Sequence, residues 1–205
     1  MSRDVVLVPG LWMPSAAMTL LSARLAAAGY STRVFGYRGR SPLEANIERF
    51  GRFVREAWGA RPAHFVGHSL GGVLILEMLA RHAELPAASA VLIGSPVRGC
   101  YAGRRLGGAR VGRWMMGACG PLWEERPAIW RRNEALGVIA GTCGVGLGRT
   151  LGRLPGPNDG VVRVAETTVD GMRARALVPI GHSALIISRR VARLVEMFLA
   201  QGRFE

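Results

Sequence analysis

At 205 residues the chain is expected to form one domain, long enough to bury a single large core. Hydrophobic residues make up 49% and charged residues 20%, as in globular proteins, and no apolar run reaches the roughly 18 residues of a membrane-spanning helix. The net charge of +13 comes from 27 arginines and no lysine, spread along the whole chain; that spread argues against nucleic acid as a partner and suits at most peripheral contact with an anionic lipid surface.

Residues 5–8, all Val or Leu, read as a buried strand that Pro9-Gly10 ends. Only Arg3 precedes this run, which is not the pattern of a secretory signal, so the cytoplasm is the expected setting. Residues 14–28 predict a helix, with Pro14 in its first turn, Met18, Leu21 and Leu25 on one face, and Gly29 as its stop. A second strand is expected at 32–35. Ser41-Pro42-Leu43-Glu44 has the spacing of a capping box with Ser41 as N-cap, and Ile47, Phe50, Val54 and Trp58 then recur at helical period. A third strand at 63–66 leads through a glycine-flanked turn into an apolar helix at 70–82. Further strands are expected at 90–93, 136–140 and 175–178, and a closing helix at 189–200.

Strands alternating with helices predict the α/β class: a mostly parallel sheet of about six strands, helices on both faces, within a single domain over residues 1–205. In such sheets ligands bind beyond the carboxyl ends of the strands. Residues 97–130 interrupt the rhythm with arginines among Trp114, Met115, Met116, Trp123 and Trp130. That stretch is expected to form a small cap whose tryptophans and methionines, Trp114 and Met115 foremost, line an acyl-binding surface while its arginines face water or an anionic surface. Cys100, Cys119 and Cys143 are odd in number and widely spaced, which fits free thiols better than a disulfide framework or a metal site.

Gly67-His68-Ser69-Leu70-Gly71 matches G-x-S-x-G at a strand-to-helix junction, where a sharp turn exposes a serine hydroxyl. Such a hydroxyl needs a general base. Of four histidines, His68 is expected to point away across the turn, His64 lies at the far end of its strand, and His82 sits late in the following helix. His182 follows directly on a strand and is the candidate base. An acid must fix its tautomer, and Asp159 gives the chain order Ser, Asp, His; Glu166 and Asp170 remain alternatives. Main-chain N–H groups of Leu70 and of the loop Gly10-Leu11-Trp12, at Leu11, are the candidate oxyanion donors, with Trp12 nearby as a candidate substrate contact.

Val8-Pro9-Gly10-Leu11-Trp12, Gly67-His68-Ser69-Leu70-Gly71-Gly72, Ile93-Gly94-Ser95-Pro96, Asn158-Asp159-Gly160-Val161 and Gly181-His182-Ser183 together resemble the bacterial lipase/esterase branch of the α/β-hydrolase superfamily. The resemblance spans nearly the whole chain and implies hydrolysis of acyl esters through an acyl-enzyme, without metal or organic cofactor. It departs from the branch in reading Pro9-Gly10 where His-Gly is usual, and in being short, as though two N-terminal strands of an eight-stranded sheet were missing. The expected substrate is a small-molecule acyl ester or thioester. Thioesterase or acyltransferase chemistry on the same triad, an amidase, or a catalytically silent binding module are the other readings. Excess EDTA is expected to leave ester hydrolysis unchanged, since the histidines and cysteines lack metal-ligand spacing; activity lost on chelation and restored by one metal would contradict this.

Overall fold

Alternate residues of a strand face opposite ways, and in the four inner strands both sets are mostly apolar and buried, so the middle of the sheet is covered on both sides. The computed structural model describes residues 2–39, 41–108, 110, 114, 122–144 and 154–205. Its strands are β1 (Asp4–Val8), β2 (Ser31–Val34), β3 (Ala63–His68), β4 (Ala87–Ile93), β5 (Ala135–Gly141) and β6 (Ala174–Val178). They form one six-stranded sheet in the order β2-β1-β3-β4-β5-β6, every neighbouring pair parallel. The chain winds first to one side of β1 and then to the other, so the crossover direction reverses between β1 and β3. That is where doubly wound sheets open a crevice.

The helices are α1 (Thr19–Ala27), α2 (Leu43–Trp58), α3 (Leu70–Arg81), α4 (Tyr101–Gly107) and α5 (Arg189–Gln201). Val6, Val8, Phe65, Ala90, Leu92 and Val138 point into one core, with α2 and α3. Val5, Leu7, Val66, Val91, Ile93 and Ile139 point into the other, with α1 and α5. The expected stripe Ile47, Phe50, Val54 and Trp58 is buried along α2. Phe50 stacks on Phe35 at 4.4 Å between centroids and meets Phe65 edge-on at 6.1 Å.

Four sequence expectations need correction. The first helix is split, with a 3-10 turn at Ser15–Met18 ahead of α1. The capping box at Ser41 does not form. Pro42 itself takes the N-cap place with ψ 142°, and its carbonyl accepts from Asn46 N–H at 3.2 Å, so Ser41 lies one residue too early to reach the free amides. β3 runs two residues further than expected, carrying His68 inside the sheet. Within residues 97–130, Leu122, Trp123, Ala128 and Trp130 are buried in the α2–α3 core rather than presented to a ligand. Three of that stretch's arginines are also paired rather than turned to solvent: Arg98 with Asp170, Arg104 with Glu125, and Arg126 with Glu77. Trp114 is exposed, while Met115 and Cys119 lie outside the described residues. Among the described residues no helix is long and apolar enough to cross a membrane.

Phe50→Ala is expected to lower the unfolding free energy by about 3–5 kcal/mol, because it removes an aromatic ring from a packed three-ring cluster. Urea denaturation should show the midpoint fall with an unchanged m value.

Candidate active site

The elbow begins with β3, a central strand held by β1 on one side and β4 on the other. Ser69 follows it at φ 52° and ψ −126°, a left-side conformation that L residues rarely adopt, and α3 starts at the next residue. A turn this sharp brings its flanks into contact. A Cβ on Gly67 would stand 2.5 Å from the Gly72 nitrogen, and one on Gly71 would overlap the Val8 and Pro9 carbonyls. Small residues at those places are therefore a steric requirement. The Ser69 N–H donates to Ile93 O at 2.9 Å, tying the elbow to β4.

His182 lies four residues beyond β6, at the same edge of the sheet. Its Nε2 is 3.0 Å from Ser69 Oγ, and its Nδ1 is 2.7 Å from Asp159 Oδ2. A carboxylate can only accept, so Nδ1 carries the proton and Nε2 offers its lone pair to the serine hydroxyl. The Asp159 carboxylate is buried, and its other oxygen accepts from Val161 N–H at 3.0 Å and Val162 N–H at 2.7 Å. The His182 main-chain N–H also donates to Asp159 O at 2.8 Å. Acid and base loops are thus joined through main chain as well as side chain.

The other candidate acids are engaged elsewhere. Glu166 accepts from Tyr101 N–H at 2.6 Å and from Arg163 N–H at 2.8 Å, fastening the start of α4 to the segment after Asp159. Asp170 pairs with Arg98. Leu70 opens α3, where a first-turn amide has no intrahelical acceptor. Among the described residues neither its N–H nor that of Leu11 is given to a protein acceptor. The loop carrying Leu11 lies against the nucleophile: a Cβ on Gly10 would stand 3.1 Å from the Ser69 Cβ. Trp12, at φ 62°, is 54% exposed.

Two features escaped the sequence reading. His68 does not point away from the base: its ring lies 4.8 Å from the His182 ring, and its Nε2 is 3.2 Å from His182 O. Gly94, at φ 55°, leaves room beside the acid–base pair, where a Cβ would stand 3.2 Å from Asp159 Oδ2. Its place after a strand in Ile93-Gly94-Ser95-Pro96 was the available signal. Among the described residues no group of three His, Cys, Asp or Glu side chains could hold a metal ion. The half-buried hydroxyl, the imidazole lone pair and the buried carboxylate in sequence can raise the nucleophilicity of Ser69.

Comparison with known proteins bears on the family and the fold. The profile of the alpha/beta hydrolase family matches residues 5–144. The chain belongs to that family. Among solved structures, the mature lipase BlEst2 of Bacillus licheniformis is similar with a TM-score of 0.77 at 16% identity, covering 97% of this chain and 91% of that one. The metagenomic carboxyl esterase MGS0156 is similar with a TM-score of 0.71 at 18% identity, over 97% and 75% of the two chains. The pyrethroid hydrolase PytH has a TM-score of 0.70 at 15% identity, over 98% and 99%. No curated protein sequence matches the chain significantly. As an alpha/beta hydrolase, the chain shares its parallel sheet and helical cover with these proteins.

Burial, reinforced by the facing His182, pushes the His68 pKa down to about 3, and burial lowers that of His64 as well. Both rings gain a proton in the unfolded chain at a higher pH than in the folded one. Their contribution to stability is therefore fully present above about pH 6.5 and is lost as pH falls toward 3. Guanidinium titrations across this range should show a shallower acid loss in His68→Phe.

Proposed function

We propose that this alpha/beta hydrolase is a serine hydrolase that cleaves hydrophobic carboxylic esters through an acyl-enzyme. The observation that carries the reading is the continuous contact from Asp159 Oδ2 to His182 at 2.7 Å and on to Ser69 Oγ at 3.0 Å. Ser69 Oγ attacks the acyl carbon while its proton passes to His182 Nε2, and Asp159 stabilises the imidazolium. The oxyanion forms toward the N–H groups of Leu70 and Leu11. Collapse expels the alcohol, which takes the proton from His182, and water repeats the sequence to release the acid. Trp12 is the first apolar surface an acyl chain would meet beside this loop. Fold similarity to a lipase and a carboxyl esterase favours esters over other acyl donors.

A fluorophosphonate probe is expected to label wild-type protein at Ser69 and to leave Ser69→Ala unlabelled; labelling that survives this substitution would overturn the reading. On p-nitrophenyl acyl esters, His182→Ala and Asp159→Asn should each lower kcat by about three to four orders of magnitude with folding intact. Near-normal turnover in Asp159→Asn would remove it as the acid. Turnover of acyl thioesters far above that of matched oxygen esters would move the assignment to a thioesterase.

A further inference from the structure

His68 is buried, with 1% of its surface exposed, directly before Ser69 in the chain. The only atom its Nε2 meets is the His182 carbonyl oxygen at 3.2 Å among the described residues, and a carbonyl accepts, so Nε2 bears the proton. The lone pair is then on Nδ1. That atom has no partner among the described residues, and it faces Gly10 of the loop after β1, where a Cβ would stand 3.1 Å away. A buried polar atom without a partner is costly, and phenylalanine would fill the same space without it. What the imidazole adds over an apolar ring is one donor, aimed at the main chain of the residue opposite the nucleophile.

We propose that His68 is a positioning residue that clamps the base to the nucleophile, joined covalently to Ser69 and gripping the backbone of His182 through Nε2–H. The inference rests on the triad reading above. Without the clamp, the Ser69 Oγ–His182 Nε2 contact at 3.0 Å is the hydrogen bond left between these two segments among the described residues, and nothing then holds the His182 main chain to the nucleophile's side. The titratable group facing the ring is His182, itself paired with Asp159, while the β1 loop brings the uncharged Gly10 to its other side. Burial and that neighbour hold His68 neutral down to about pH 3, so the donor stays in place while His182 gains and loses its proton. Loss of the donor displaces the base rather than the substrate, and such misplacement acts on kcat.

The test compares His68→Phe, which keeps volume without a donor, with His68→Gln, whose amide can restore one. With p-nitrophenyl butyrate, His68→Phe is expected to lose about 10- to 100-fold in kcat with KM little changed, and His68→Gln to recover most of the loss. Wild-type turnover in the phenylalanine variant, or equal losses in both variants, would overturn the clamp. Should either variant fail to fold, nitrogen-15 NMR of the wild-type imidazoles decides. His68 should remain the Nε2–H tautomer from about pH 5 to 8, and an Nδ1–H tautomer or a titration within that range would overturn the proposal. Fluorophosphonate labelling of the wild type separates the two failures. An unlabelled wild type sinks the serine-hydrolase reading and the clamp with it, whereas a labelled wild type beside a fully active phenylalanine variant removes the clamp alone.

Discussion

Ser69 sits in a backbone conformation, φ 52° and ψ −126°, that costs on the order of 1–3 kcal/mol for a residue with a Cβ. The turn persists because both of its arms are fixed by the core. β3 has a strand on each side, and α3 buries Val73, Leu74, Ile75, Met78 and Leu79 against the sheet. Relaxing the serine would shift one of these arms, and burial of that size outweighs the strain. Hence the serine is held at the carboxyl edge of the sheet, at the point where α3 begins.

The parallel sheet does the rest of the gathering. Ser69 and His182 are 113 residues apart in sequence, yet each follows the carboxyl end of a strand, and so does Asp159 after β5. Parallel strands must all end on one edge, so loops from distant parts of the chain converge there. The loop after β1 joins them because β1 neighbours β3 directly.

The patterns legible in the sequence were those that depend on near neighbours. Alternating apolar runs marked all six strands to within a few residues, helical spacing marked α2 and α5, and the elbow glycines marked the turn. Chain order alone left Glu166 and Asp170 beside Asp159, since all three precede His182; the partners that engage those two, Arg163, Tyr101 and Arg98, could not be read from sequence. His68 was misjudged because its contact spans 114 residues, and because it is the last residue of β3 rather than part of the turn. Trp123 and Trp130 were misjudged because an aromatic beside arginines has the same local pattern whether it lines a cleft or fills a core. Trp130 Nε1–H donates to the Glu134 carbonyl four residues on, whereas Arg126 pairs with Glu77 of α3, a partner that only tertiary packing brings near.

The hydrogen-bond ladder of the sheet does not stop where the strands stop. Ser69 N–H continues it to Ile93 O, Gly94 N–H to Ile139 O, and Thr142 N–H to Val178 O, while His182 N–H closes onto Asp159 O. The residues of this edge are thus tied by main-chain hydrogen bonds to the strands beneath them. Local opening is resisted by bonds of this kind, so the order of the candidate site is coupled to that of the sheet as well as to its own side-chain contacts.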